Sequence, residues 1–253
     1  MNKTLYGKVS PEDVAPYVIF SGDPQRVERV QRYLDDSRHI AYAREFNTYT
    51  GTYKGVPVTV TSTGIGAPSA AIAMEEMYAC GMRTALRMGT TMSLVDEYLG
   101  DFLIPVASIS QEGTSSGYVP PGYPAVADFS LVQNLRDTLD AMGERNHTCL
   151  NCTKDGFYSE MHESKLSRER GLDIAASFVE LKNLGVACID MESSVMMNVG
   201  RLMGVRTAVL TVATVLENLK RALEGEERAR AEDRLCLAAL ESFVNLDRKE
   251  KTS

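Results

Sequence analysis

The chain has 253 residues, 44% of them hydrophobic, and a formal net charge of -7. That is enough apolar material for one sizeable α/β core or two small ones. The acidic balance argues against a nucleic-acid partner, which needs a basic surface, but not against a local arginine pocket for a small anion.

No apolar run reaches the ~20 residues of a membrane span, and the N-terminus has no apolar signal segment. The sequence therefore predicts a cytoplasmic protein with no membrane partner. Five cysteines, Cys80, Cys149, Cys152, Cys188 and Cys236, follow no disulfide framework. Cys149 and Cys152 form a C-x-x-C, but no second pair completes a zinc site, so they read as reduced thiols.

Taken in order, Pro16-Tyr17-Val18-Ile19-Phe20 reads as a short buried strand. It enters the turn Ser21-Gly22-Asp23-Pro24-Gln25-Arg26, after which Val27, Val30 and Leu34 recur at helical spacing. Free N–H groups and the helix dipole favour an anion at such a strand–turn–helix junction. Tyr49 to Tyr53 and Val56 to Ser62 predict a hairpin turning at Lys54-Gly55. Thr63-Gly64-Ile65-Gly66-Ala67-Pro68-Ser69 is a second glycine-rich turn, opening a helix over about 70–80 that closes at Gly81. Ala85-Leu86 then leads to Arg87-Met88-Gly89-Thr90-Thr91, read as a strand end forming an anion-binding lip. Arginine supplies a planar donor fork, glycine permits close backbone approach, and the threonines add hydroxyls.

Gly113 to Pro124 is a loop, and Leu131 to Met142 an amphipathic helix. Thr148 to Thr153 reads as a strand, and the polar segment after Phe157-Tyr158, to about Gly171, as a lid or disordered flap. Ala175 to Leu184 is a helix. Ala187-Cys188-Ile189 is a strand ending in Asp190-Met191-Glu192-Ser193, with a methionine-rich helix behind it. Thr207 to Thr214 is a buried strand, and everything from Glu217 onward reads as helix. The alternation predicts one domain over residues 1–253: a three-layer αβα sandwich around a mixed, largely parallel twisted sheet. Ligands of such sheets sit at the carboxyl ends of strands. Phosphate-suited turns beside a Met191-Glu192 pair suited to a ribose point to a sugar-phosphate or nucleoside reaction.

Six pieces occur in order: Gly22-Asp23-Pro24-x-Arg26, Arg44-Glu45-Phe46, Ser62-Thr63-Gly64-Ile65-Gly66, Arg87-Met88-Gly89-Thr90-Thr91, Tyr123-Pro124-Ala125-Val126-Ala127-Asp128-Phe129 and Asp190-Met191-Glu192-Ser193. Together they resemble the nucleoside phosphorylase family of hexameric type, closest to its uridine phosphorylase branch. The resemblance implies reversible phosphorolysis of a nucleoside to free base and ribose 1-phosphate. Inorganic phosphate is then the co-substrate, and no cofactor is required. It implies that Gly22, Arg26, Arg87 and Thr90 hold phosphate, with Arg44 reaching the site of a neighbouring subunit. Met191, Glu192 and Thr90 would hold ribose, and Thr91, Phe157 and Asp190 would lie by the base. Glu45, Ile65 and Ser69 match a monovalent-cation site at a dimer interface. The implied assembly is a homodimer or a trimer of dimers.

The base pocket departs from the branch. Its Gln–Arg uracil clamp falls on Met161 and Glu163 in an ungapped alignment, or on Glu160 and His162 with one deletion. Glu217 replaces a further arginine, Ala213-Thr214 lie where purine-type members place an aspartate, and Leu5-Tyr6 occupy the region of an N-terminal histidine. Two rival readings follow: a non-catalytic or altered-specificity nucleoside-binding homologue, and a nucleosidase in which water replaces phosphate.

Overall fold

Strand β1 (Tyr17–Ser21) is buried along its whole length. Its period-2 alternation sends Tyr17 and Ile19 into one apolar cluster and Val18 and Phe20 into another. A strand buried on both faces needs cover on both, and that requirement sets the layers. The computed structural model describes residues 3–252. After β1 come α1 (Pro24–Val30), β2 (Asp35–Ala43), β3 (Phe46–Tyr53), β4 (Val56–Ser62), α2 (Ala67–Ala79), β5 (Thr84–Ser93) and β6 (Phe102–Gln111). Then follow β7 (Ala125–Val126), α3 (Phe129–Ala141), β8 (Asn146–Lys154), α4 (Lys165–Glu169), α5 (Ile174–Asn183), β9 (Val186–Asp190), α6 (Ser193–Leu202), β10 (Arg206–Leu216) and α7 (Gly225–Thr252).

The strands form one mixed sheet in the order β10-β6-β8-β9-β5-β1-β4-β3-β2, with β7 on β6. Helices α1, α3 and α7 pack on one face through residues such as Val27, Leu135 and Phe243. Helices α2 and α6 cover the other through Met74, Met77 and Met196. The layers and the mixed sheet match the sequence expectation. In addition, β10 pairs with β5 as well as β6, so β5, β10, β6, β8 and β9 close a ring of pairings. The β3–β4 hairpin turns at Lys54 (φ 49°) and Gly55 (φ 80°), the left-handed pair that a tight hairpin needs.

Three segments differ from their sequence reading. The strand at Arg87 does not stop there: β5 continues to Ser93, because β10 runs beside it from Arg206↔Thr84 to Ala213↔Thr91 and supplies its hydrogen-bond partners. The flap is a π-helical turn over Phe157–Met161 followed by α4, whose start Ser164 caps by accepting from Ser167 N–H. The last helix begins at Gly225 rather than Glu217. Asn218 and Leu219 take φ of 50° and 56°, which breaks helical geometry. Leu223 N–H instead donates back to Thr214 C=O at 2.8 Å.

All five cysteines are free thiols. Burial pushes the Cys152 thiol up to about 12, consistent with an inert structural group. Among the described residues, no helix is long and apolar enough to cross a membrane.

Candidate active site

Parallel strands deliver their carboxyl ends to one side of the sheet. The turn after β1, the turn after β4, strand β5 and the β9–α6 junction meet there around a cavity of about 980 Å³. Gly22, Arg26, Arg87, Thr90, Thr91, Asp190, Met191 and Glu192, all singled out from the sequence, line it together.

Close approach at two glycines permits the meeting. A Cβ on Gly22 would sit 3.2 Å from the Gly64 carbonyl, so the first two turns are in backbone contact. A Cβ on Gly89 would sit 3.2 Å from Nη2 of Arg87, because that guanidinium folds back over its own strand.

Arg87 is 4% exposed and is held from two directions. Its Nε donates to Asp190 Oδ2 at 2.9 Å, and its Nη2 pairs with Glu192 Oε2 at 2.5 Å. Burial alone would depress the guanidinium; Glu192 and then Asp190 outweigh it and hold its pKa raised. Glu192 shows the reverse balance. Burial pushes its carboxyl up, against the pull of Arg87 and of the Gly66 N–H, which donates to Oε1 at 2.7 Å. Both oxygens of Asp190 are committed inside the protein. Oδ1 accepts from Asn151 Nδ2 at 2.8 Å and Thr153 Oγ1 at 2.9 Å, and Oδ2 accepts from Ser193 Oγ at 2.5 Å besides Arg87. Asp190, expected at the base, is thus placed as the clamp that orients Arg87. Thr91 likewise spends its hydroxyl proton on Ile189 C=O at 2.7 Å.

Arg26 is 5% exposed. Its Nη1 donates to Ser21 Oγ at 3.1 Å, and its Nη2 lies 3.4 Å from Oε1 of Glu232 on α7. Its Nε is buried without a partner among the described residues. Arg44 goes elsewhere. It sits at the β2–β3 turn with φ 56°, exposed, its guanidinium 5.3 Å from the Tyr6 ring and outside the cavity. Its neighbour Glu45 does line the cavity, so the turn stands at the mouth while Arg44 faces away. Ser69 Oγ reaches Ile65 C=O at 3.3 Å, and a Cβ on Gly64 would lie 2.9 Å from the Glu45 side chain. The three residues of the expected cation site are therefore clustered at one edge. No group of three or more His, Cys, Asp or Glu suited to a metal occurs among the described residues.

Phe157, Met161, Ile189 and Val215 form an apolar stretch of the cavity lining. Glu160 and His162, the base readers under the one-deletion alignment, do not line it. The π-helical turn bends Glu160 back so that Oε2 accepts from Gly156 N–H at 2.7 Å. Leu219, Ala222, Glu224 and Arg228 complete the cavity, and the sequence reading missed them. One signal was available: Arg228 is a cation in the opening turns of a helix, where the dipole disfavours it.

Residues 16–244 match the model of the phosphorylase superfamily. The chain belongs to the phosphorylase superfamily. Among superfamily relatives, the uridine phosphorylase of Thermococcus kodakarensis is 38% identical over 197 residues, which cover 78% of this chain and 71% of the relative. The crystal structure of uridine phosphorylase from Vibrio fischeri superposes with a TM-score of 0.83 at 28% identity, covering 96% of this chain and 98% of that one. Purine nucleoside phosphorylase from Toxoplasma gondii, in complex with immucillin-H, superposes with a TM-score of 0.87 at 27% identity, covering 98% of each chain.

Proposed function

We propose that this protein is a nucleoside phosphorylase, a pentosyltransferase that moves a ribosyl group between a base and phosphate. The observation that carries the reading is the shared cavity: two nearly buried guanidiniums, Arg26 and Arg87, face the same space as Met191 and Glu192. Phosphate attacks C1′ of the nucleoside, the bond from C1′ to the base nitrogen breaks, and ribose 1-phosphate and free base leave. The sugar becomes cationic as that bond opens, so a phosphate dianion held beneath it stabilises the transition state. Gly22, Arg26, Arg87 and Thr90 hold the phosphate. Glu192 accepts from ribose hydroxyls, with Thr90 beside it and Met191 packed on the sugar. Asp190 keeps Arg87 aimed, and Thr91, Phe157 and Met161 border the base. With an apolar wall in place of a polar clamp, the base is held largely by packing, and the kinship with uridine phosphorylases favours a uracil nucleoside.

The rest of the reading concerns assembly. The chain acts as one domain over residues 1–253, supported by a sheet that runs unbroken from β2 to β10. It works in the cytoplasm as a homodimer or a trimer of dimers, with Arg44 entering the neighbour's site. Support comes from the outward aim of Arg44 and from exposed apolar groups nearby: Leu5, Tyr42 and Ile65, the last 77% exposed at the cavity edge. The Glu45 carboxylate has no hydrogen-bond or ion-pair partner among the described residues, and with Ile65 C=O and Ser69 Oγ it offers an oxygen set suited to a monovalent cation.

The deciding experiment follows base release from uridine, thymidine, inosine, guanosine and adenosine, with and without inorganic phosphate. Phosphate-dependent release, greatest for uridine, is expected. Release independent of phosphate would assign a nucleosidase, and no release from any nucleoside at saturating phosphate would assign a non-catalytic binder.

A further inference from the structure

Arg228 stands outside the sequence motifs, yet it lines the cavity with Arg26 and Arg87. It lies near the start of α7, where the positive end of the helix dipole disfavours a cation. Its partner is Glu232, one turn later: Nε donates to Oε1 at 3.1 Å. An i,i+4 pair on a solvated helix face would account for that contact alone, but Glu232 is not solvated. It is 6% exposed, and the oxygen that accepts from Arg228 is the one nearest Nη2 of Arg26. Its other oxygen faces Arg29 at 3.5 Å. One buried carboxylate thus ties Arg228 to the anchored Arg26, while the two Nη groups of Arg228 have no partner among the described residues.

Charge sharpens the point. Among the described lining residues the positive side chains are Arg26, Arg87 and Arg228, against the carboxylates of Asp23, Glu45, Asp190, Glu192 and Glu224. A phosphate dianion entering such a cavity depends on every cation it meets. We propose that Arg228 is a phosphate-binding residue of this site, held by Glu232 so that its Nη groups close over the anion beside Arg26. The ligand is inorganic phosphate, or the phosphoryl group of ribose 1-phosphate in the reverse direction. The inference rests on the phosphorylase reading above.

The test is calorimetric titration of the full-length protein with inorganic phosphate, alongside KM for phosphate and for nucleoside. In Arg228→Met the phosphate Kd and the phosphate KM are expected to rise about tenfold, equivalent to about 1.4 kcal/mol. The nucleoside KM should move by no more than about twofold, and Arg228→Lys should recover part of the loss, since a point charge replaces part of the fork. An unchanged phosphate Kd in Arg228→Met, with the wild type binding phosphate, overturns the assignment. So does a loss that falls on the nucleoside KM. Failure of the wild type itself to bind phosphate would instead overturn the phosphorylase reading on which the assignment depends.

Discussion

Replacing Arg87 with methionine keeps an unbranched side chain of similar length and removes the charge. The structure makes the cost calculable. Asp190 and Glu192 are both nearly fully buried and both lean on this one guanidinium, at 2.9 and 2.5 Å. Removing one partner of a buried ion pair typically costs about 3–5 kcal/mol, because the charge left behind is uncompensated. For a protein of this size a kilocalorie is worth about 2–4 °C in Tm, so the melting point should fall by about 6–20 °C. The loss should depend on pH in a defined direction. Burial already raises the Glu192 pKa above the ordinary value of 4.5, and Arg87 opposes that rise. Between the unfolded and the raised folded value the folded state binds the extra proton, so stability falls as pH increases through that window. Without Arg87 the window extends upward and the penalty deepens. Thermal melts followed by circular dichroism at pH 5 and pH 8, at one fixed protein concentration, should show the larger Tm difference between variant and wild type at pH 8. Phosphate-dependent kcat/KM should fall about a hundredfold or more. A Tm loss under about 2 °C, or equal losses at the two pH values, would refute the claim that Arg87 neutralises this carboxylate pair.

Three further outcomes follow from the same geometry. Gly89→Ala places a methyl 3.2 Å from Arg87 Nη2, so the guanidinium must shift by a few tenths of an ångström; phosphate KM should rise about five- to tenfold, read by initial rates, with Tm little changed. Ser193→Ala deletes the 2.5 Å hydroxyl donor to Asp190 Oδ2 and should cost about 1.5–3 kcal/mol in urea unfolding. Arg44→Ala should leave the melt unaltered and weaken phosphate use. Mixed with Arg87→Ala subunits after reversible dissociation, it should restore roughly a quarter of wild-type activity, because half of randomly paired dimers then carry one intact shared site. No recovery would place Arg44 outside the partner's site.

Arg26 and Glu192 were legible from the sequence because each sits just past the end of a buried strand, and Arg87 because it lies within one. A parallel sheet sends the ends of its strands to one side, so finding the strand ends locates the cavity. Asp190 was found but misread. As a string, Asp190-Met191-Glu192 offers two carboxylates to a ligand; only the β8–β9 register, with Thr153 opposite Asp190, shows that one of them is spent inside. Arg228 and Glu224 were hidden for a different reason. The chain leaves β10 through Asn218 and Leu219 at positive φ, a conformation asparagine tolerates but leucine rarely adopts, so the pair does not read as a break. Read as continuous helix from Glu217, the segment runs past the cavity; broken there, it brings the start of α7 to the mouth. The base wall was lost to a similar ambiguity: one residue of alignment slippage separates Met161, which faces the cavity, from Glu160, which turns back on Gly156.

The carboxylates of this site outnumber its own cations, and that imbalance bears on the proposed sharing of the site between subunits. Glu192, proposed to receive the sugar, and Asp190, which holds Arg87, would each add negative charge beside a phosphate dianion. Arg26 and Arg228 share Glu232 and so arrive already partly neutralised. On the proposed assembly, a further guanidinium from outside would redress the balance. Arg44 stands on a hairpin turn whose other residue, Glu45, touches the cavity, and its guanidinium lies 5.3 Å from the half-buried Tyr6 ring. It is exposed and unpaired with any carboxylate among the described residues. A cation held that way cannot serve its own cavity, but a second copy placed against the exposed Ile65 edge would receive it. On the proposed assembly, the second subunit would complete the electrostatics of phosphate binding, and a lone subunit would hold the sugar end of the site better than the phosphate end.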